Sequence, residues 1–464
     1  MWEEDAEEVR ETMSKEEQRL PDLAKPAEEA FKLLSKETLD AFDIFVLYSR
    51  SLSIEILGRG IKEATSRLDL GLGIRVFKNK GLGFAFTQSL ESLDVEATIK
   101  RAIAFSRTAQ PDPYFRGIPE PSKASEIPGL FDREIEALKL EEAGELARRM
   151  IDAVEGVRKG AFYRGSLLAG HGKSLLMTST GVNVESEGTF ISAYVAPTYR
   201  DGEDVGSSYE YDVSRSLADM NFEEIGATAA RKAIEQFGSK RIEGGILPVV
   251  LSPDTTQSLC GALLAACSGE DAVKARTFAS NLLGRQIAPA SFEIKDDGTI
   301  PGAVSSSTYD GEGVPSRPLK VISQGTIVSF LHNSYSAGIM GVKTTGHAKR
   351  VGYGSYVGAG PTNVIVKPGD GTMDELIEEI QRGVLVSRAS LTPNMVSGEL
   401  SSTIDEGFFI ERGEKIHPVK NLMIGGHIVE ILRRIELISK EGRTIGRGHF
   451  FPAIKVSEIR LAGK

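Results

Sequence analysis

Gly71–Thr87 reads GLGIRVFKNKGLGFAFT. Apolar runs flank the polar tetrapeptide Lys78-Asn79-Lys80-Gly81, and that pattern specifies an antiparallel hairpin. Upstream, Phe42–Tyr48 and the stretch near Leu52–Leu57 read as two further strands, preceded by a helical pattern from Ala27. Downstream, Leu93, Ile99, Ala102, Ile103 and Phe105 fall on or near one face of a helix ending by Gln110. A first helix and strand module therefore spans residues 27–110, behind an acidic tail, residues 1–26, that closes on Pro21–Pro26 and in which no chemistry is expected.

Residues 111–131 carry Pro111, Pro113, Pro119, Pro121 and Pro128, a density that regular helix and central strand do not tolerate, so this stretch is a linker. A second module, residues 132–243, repeats the plan: a helix over Leu138–Val154, strands near Ala161, Leu175 and Ile191, and a helix over Phe222–Phe237. Ser89–Glu96 and Ser216–Glu223 both introduce a closing helix, and Asn221 with Glu224 fits a capping-box variant. Internal duplication and chance similarity both account for that likeness. Residues 244–464 are richer in strands. Ile246–Leu251 precedes a helix from about Asp254; Leu319–Ile322 and Ile327–Leu331 flank Gln324-Gly325; Val364–Val366 follows; and Phe408–Ile410 turns through Arg412-Gly413 toward Ile416. Helices are predicted over Met373–Arg382 and His427–Ser439. Because strands and helices do not alternate regularly, the fold class is α+β, with a curved or barrel-like mixed C-terminal sheet rather than a doubly wound one.

The 464 residues exceed one core, and a prior of about 150 residues per domain suggests about three units. Asp and Glu number 65 against 55 Lys and Arg; the net charge of -10 argues against general nucleic-acid binding. No secretory pattern opens the chain and no run of about 18 uncharged apolar residues occurs, so a cytoplasmic protein without a membrane span is expected. The two cysteines, Cys260 and Cys267, lie in an apolar stretch and read as buried thiols.

Ala169-Gly170-His171-Gly172-Lys173-Ser174 resembles the end of a phosphate-binding loop. Leu167 stands where that motif needs glycine, and strand rather than helix follows, so the segment is read as a hairpin turn. Gly71-Leu72-Gly73 lacks the third glycine of a dinucleotide fingerprint. Of the six histidines, His171, His332, His347, His417, His427 and His449, no two have the spacing of zinc ligands on a helix. His427 and Glu430 share a helical face within reach of a recruited His449, but such pairs are common on exposed helices and no metal site is assigned to them. Asp296-Asp297-Gly298-Thr299 reads as a tight turn whose aspartates bond their own backbone. Lys343–Arg350 (KTTGHAKR) gathers cations and hydroxyls in a glycine-bearing loop. It is either a solvated loop or a grip for peptide, carboxylate or phosphate, with Lys343, Thr345, His347, Lys349 and Arg350 as the candidate binding residues.

Asp296–Gly325, Ser329–Arg350, Gly407–Leu432 and Gly71–Thr87 together resemble the TldD/PmbA family, also called modulators of DNA gyrase. The resemblance covers nearly the whole chain after the acidic tail. It implies an intracellular proteolytic system in which a TldD-type subunit carries zinc on a helical His-Glu-x-x-x-His motif, while a PmbA-type (TldE) partner lacks that motif. Carried onto this sequence, the histidine positions fall on Cys260 and Ala265, the glutamate on Gly261 and a late cysteine ligand near Thr444. Zinc would have one thiolate at most, and no carboxylate would activate water. No catalytic residue and no cofactor is therefore assigned to this chain; zinc is expected in the partner.

The resulting expectation is a non-catalytic subunit that pairs with a TldD-type zinc protease paralogue, self-associates, and helps hold extended peptide or unfolded protein. Two alternatives remain open: a metal-independent hydrolase using Cys260 or a serine of the third module, and a regulatory binding protein acting on gyrase.

Overall fold

The computed structural model describes residues 21–463. Residues 1–20 of the predicted acidic tail lie outside the described residues. The remainder of that tail runs into helix α1 (Ala24–Leu34), with Pro26 in the first turn, where its missing N–H breaks no helical bond.

The N-terminal half is one continuous antiparallel sheet rather than two. Its strands are β1 (Ala41–Gly58), β2 (Gly60–Lys78), β3 (Gly81–Thr87), β4 (Phe162–Thr178), β5 (Asn183–Asp201), β6 (Asp204–Ser207) and β7 (Glu210–Ser214). They run in the order β3-β2-β1-β4-β5-β6, with β7 also on β5. Helices α2 (Ser92–Thr108), α3 (Arg133–Ala137), α4 (Leu140–Val157) and α5 (Phe222–Glu235) accompany α1, and residues 111–131 form neither helix nor strand. The hairpin at Lys78–Gly81 forms as predicted, with Asn79 and Lys80 at φ 50° and 63°, the left-handed pair that a two-residue turn between twisted strands requires. Asn221 caps α5, accepting from the Glu224 N–H at 3.0 Å.

The two strands predicted over Phe42–Tyr48 and Leu52–Leu57 are a single strand, β1. The polar triplet Ser49-Arg50-Ser51 reads as a break, yet the period of two stays in phase through it. Ile44, Val46 and Tyr48 pack under α1 and α2, whereas Leu52, Ile54 and Ile56 pack under α4 and α5. Arg50 takes the in-phase position between them and donates to the carbonyls of Glu136 and Leu138 at 3.1 and 3.3 Å. On β4, likewise, Leu167 and Ala169 belong to the second core and Leu175 to the first. Ala169–Ser174 is consequently no hairpin turn: it is the middle of β4, paired to β1 on one side and β5 on the other. A Cβ at Gly170 would lie 2.8 Å from the Arg50 carbonyl, so this glycine answers to crowding between strands.

The C-terminal half contains β8 (Gly245–Leu251), α6 (Pro253–Ala266), α7 (Gly269–Val273), β9 (Ile294–Asp297), β10 (Pro318–Ser323), β11 (Thr326–Ile327), α8 (Ser334–Met340), β12 (Ala348–Lys349) and β13 (Gly358–Ala359). There follow β14 (Val364–Val366), α9 (Met373–Glu378), β15 (Arg382–Ala389), β16 (Glu399–Glu411), β17 (Glu414–Pro418), β18 (Met423–His427), α10 (Ile428–Arg433), β19 (Ile435–Ile445) and β20 (His449–Ala462). Strands β8, β15, β16, β18 and β20 close on themselves as a five-stranded barrel, mixed because β8 and β15 are parallel. The α+β class with a barrel-like mixed C-terminal sheet is thus the observed architecture. Gln324-Gly325 and Arg412-Gly413 make left-handed hairpin turns as read.

Three predicted elements are shorter than expected. The helix over Met373–Arg382 stops at Glu378, and Arg382 opens β15. The helix over His427–Ser439 is only α10, and Ile435 starts β19; Ile428, Ile431, Leu432 and Ile435 mimic a helical stripe, but pairing with β20 overrides it. The strand Ile327–Leu331 ends at Ile327. No helix of the described residues is long and apolar enough to cross a membrane.

The halves meet where the C-terminal loop crosses the sheet. A Cβ at Gly71 would fall 2.5 Å from the Tyr353 ring and one at Gly73 2.1 Å from the Tyr353 carbonyl. Gly71-Leu72-Gly73 is therefore a seat for this crossing.

Candidate functional site

Helix α6 starts where Ser252 caps it, its Oγ accepting from the Thr255 N–H at 3.2 Å, with Pro253 in the first turn. Small and apolar residues then let it sink against the barrel. Cys260 is fully buried beside Leu259, Leu263 and Leu264, and burial pushes the thiols of Cys260 and Cys267 up to about 12. Gly261 and Ala265 are exposed, as is Thr444 on β19. At about 100° per residue, positions five apart on a helix point about 140° away from each other, which is why Cys260 faces the core and Ala265 does not. A buried thiol, a hydrogen, a methyl and a hydroxyl do not fit a zinc ion. His427 caps α10 with Nδ1, whereas His449 accepts from the Val364 N–H at 3.1 Å through Nδ1 and lies 3.4 Å from Ser305 Oγ through Nε2. No group of three or more His, Cys, Asp or Glu suited to a metal occurs among the described residues.

An apolar, fully buried thiol held protonated is a poor nucleophile. Native protein is accordingly expected to leave both cysteines unmodified by a maleimide that labels them fully in denaturant, as read by mass spectrometry. Fast native labelling of Cys260 would reopen the thiol-hydrolase alternative.

The first turns of the outward face of α6 are engaged with the second module and β19 instead. Tyr211 Oη donates to Gln257 at 2.8 Å, and Arg443 bonds Asp254 at 2.7 Å, the Tyr211 carbonyl at 2.7 Å and the Glu210 carboxylate. Burial would raise the Glu210 carboxyl, but Arg443 and Lys232 outweigh it and hold it below the usual range. Arg388, stacked 3.6 Å from the Tyr209 ring centroid, lies 3.2 Å from Asp254 and 3.5 Å from Glu406. These pairs tie β7 to α6 and the C-terminal sheet.

The loop Lys343–Arg350 is mostly turned inward. Lys343 is exposed. Thr345 is buried, its Oγ1 accepting from the His332 N–H at 2.7 Å. His347 is buried with Nε2 2.9 Å from Asp296 and Nδ1 2.9 Å from the Thr345 carbonyl. Arg350 lies 3.3 Å from Asp43 on β1 and over the Phe45 ring. Lys349 is half-buried, and its ammonium has no ion pair or hydrogen bond among the described residues; burial pulls its pKa down, with Asp296 and Asp310 partly offsetting. The Asp296-Asp297 turn forms in part: Asp297 accepts from the Thr299 N–H at 3.0 Å, while Asp296, fully buried, serves His347 and the Thr362 N–H at 2.9 Å.

Lys349, Arg350 and His347 border a cavity of about 230 Å³ between the N-terminal sheet and the C-terminal half. A second cavity of about 560 Å³ lies over the middle of β4 and β5, walled by Phe131, His171 and Arg215. Ser174, Ser186 and Ser307 line both, so the two adjoin. Beside them, Arg75 on β2 bonds Asp43 at 2.7 Å and Glu312 at 3.1 Å. Arg75, Asp43 and Glu312 carry no sequence signal, because Glu312 is 237 residues from Arg75 and only the fold brings them together.

Three domain descriptions match successive stretches of the chain: PmbA/TldA metallopeptidase domain 1 over residues 42–106, the PmbA/TldA metallopeptidase central domain over 133–237, and the PmbA/TldA metallopeptidase C-terminal domain over 244–463. The chain is 24% identical over 437 residues to metalloprotease PmbA of Escherichia coli O157:H7, a match spanning 92% of this chain and 93% of that protein. It is 23% identical over 465 residues to the metalloprotease TldD homolog of Haemophilus influenzae, spanning 93% and 95%. The crystal structure of TldE from Thermococcus kodakarensis superimposes with a TM-score of 0.84 at 26% identity, covering 94% of this chain and 100% of that one.

Proposed function

The chain belongs to the PmbA/TldD metallopeptidase family, and we propose that within it this protein is a cytoplasmic, non-catalytic subunit that pairs with a zinc-bearing, TldD-type paralogue to degrade unfolded or peptide substrates. The observation that carries this reading is the chemistry of α6. Where a hydrolytic zinc site needs imidazoles and a carboxylate, the helix offers a core thiol, Gly261 and Ala265. Relatives named PmbA, TldD and TldE share the full length of the fold, which supports a partnership between paralogues. The contribution of this chain is to wall a shared substrate space and to hold extended peptide against the sheet.

The test is metal content and cleavage of a denatured protein, measured on this chain alone and mixed with a zinc-bearing paralogue. Alone, the chain is expected to hold far less than one zinc and to cleave nothing. Mixed, activity should exceed that of the paralogue alone. Stoichiometric zinc with cleavage by the lone chain would overturn the assignment.

A further inference from the structure

We infer that the cavity at Lys349 receives the free C-terminal carboxylate of an extended peptide lying along the N-terminal sheet; this rests on the peptide-holding role proposed above and gives it a direction. The two adjoining cavities border β4 from His171 to Leu176. At about 3.3 Å per residue this is about 17 Å, room for about five extended residues.

The two ends differ in chemistry. Glu126 borders the far end, and Glu185 and Glu187 are paired there with Lys173 at 3.1 Å and His171 at 2.8 Å on the helical face of the sheet. At the near end the only lining carboxylate is Asp310, and its oxygens already accept the N–H groups of Glu312, Val314 and Ala348 at 2.9–3.0 Å. Hydroxyls of Ser305, Ser316 and Thr362 also line this end. Arg350 is committed to Asp43 and to the Gly311 carbonyl. Lys349 alone among these cations has an ammonium with donors to spare, and a half-buried ammonium without an acceptor favours an anionic one. A carboxylate supplies two charged acceptor oxygens, and a C-terminal amide supplies neither the charge nor the second oxygen.

The test uses five-residue peptides labelled at the N-terminus, as free acids and as C-terminal amides, with binding to the full chain read by fluorescence anisotropy. The acid is expected to bind about 10-fold or more tightly than the amide, the range of one charge-assisted hydrogen bond. In Lys349→Met that preference should vanish, in Lys349→Arg it should return, and in Lys159→Met, at an exposed lysine that borders neither cavity, it should be unchanged. Equal affinity of acid and amide for the unmodified chain would overturn the inference while leaving peptide holding intact, and this comparison depends on no variant. Binding of neither peptide would overturn both readings.

Discussion

Replacing Arg75 by Met is expected to cost about 3–5 kcal/mol of stability, the range for removing one partner from a buried ion pair. Asp43 stands directly opposite Arg75 in the β1–β2 register, and Glu312 reaches in from the C-terminal half. The Asp43 and Glu312 side chains are each 1% exposed. Burial works against the charge on Arg75, but the two carboxylates outweigh it and raise its pKa. Without the guanidinium, Asp43 keeps Arg350, while Glu312 keeps only the N–H of Ser334 at 2.8 Å. The control is Lys62→Met, which removes an exposed pair with Glu55 at 3.1 Å and should cost under about 1 kcal/mol. Urea titrations of the two variants decide the matter. Equal midpoints would mean that the buried cluster does not hold the halves together.

Acid is expected to remove about 3 kcal/mol through His332 alone. The ring is 4% exposed, bonds Ser336 at 3.0 Å through Nδ1 and is wedged against Gly269, where a Cβ would lie 2.3 Å away. Burial first, and His347 second, lower its pKa from about 6.5 to about 4. The folded protein therefore keeps the ring neutral while the unfolded chain takes up a proton, so stability present above about pH 6.5 is lost as pH falls toward 4. Asp310 acts in the opposite sense. Burial, then Glu312, push its carboxyl up to about 6, so its contribution is present in acid and lost as pH rises through 6. Between pH 4 and 6 the two oppose each other, and the unmodified protein masks both. His332→Gln separates them: relative to the unmodified chain its stability should improve by about 3 kcal/mol between pH 7 and pH 4. A difference that stays constant with pH would show that His332 does not titrate as a buried neutral ring.

Hairpins were legible because their information is local. Asn79-Lys80, Gln324-Gly325 and Arg412-Gly413 need no distant partner to adopt left-handed backbone. The length of β1 was not legible, because Arg50 looks polar in a list and takes its part-buried, inward-facing place only when the Glu136 and Leu138 carbonyls arrive from another module. The same holds for β19: the residues after Arg434 are helical by period and strands by pairing with β20. At the site, the residue types at Cys260, Gly261 and Ala265 could be read given the family resemblance, but that Cys260 alone of the three is buried depends on how α6 packs against the barrel. The loop Lys343–Arg350 showed its cations but not their directions. That Thr345, His347 and Arg350 serve the interior, and Lys349 a cavity, depends on Asp296, Asp43 and β4, none of them near in sequence.

Strand β1 is 18 residues long and belongs to both helical cores. At about 3.3 Å per residue it runs nearly 60 Å, and its pairing with β2 slips only once, at Glu55–Ile56 near its far end. The sheet is therefore a beam and not a pair of hinged plates: a load applied under α1 is carried to α4 without a bend between them. The joint of the molecule lies elsewhere, at the seam where the Tyr353 crossing and the Arg75 cluster clamp the beam to the C-terminal half. The cavity at Lys349 lies along that seam.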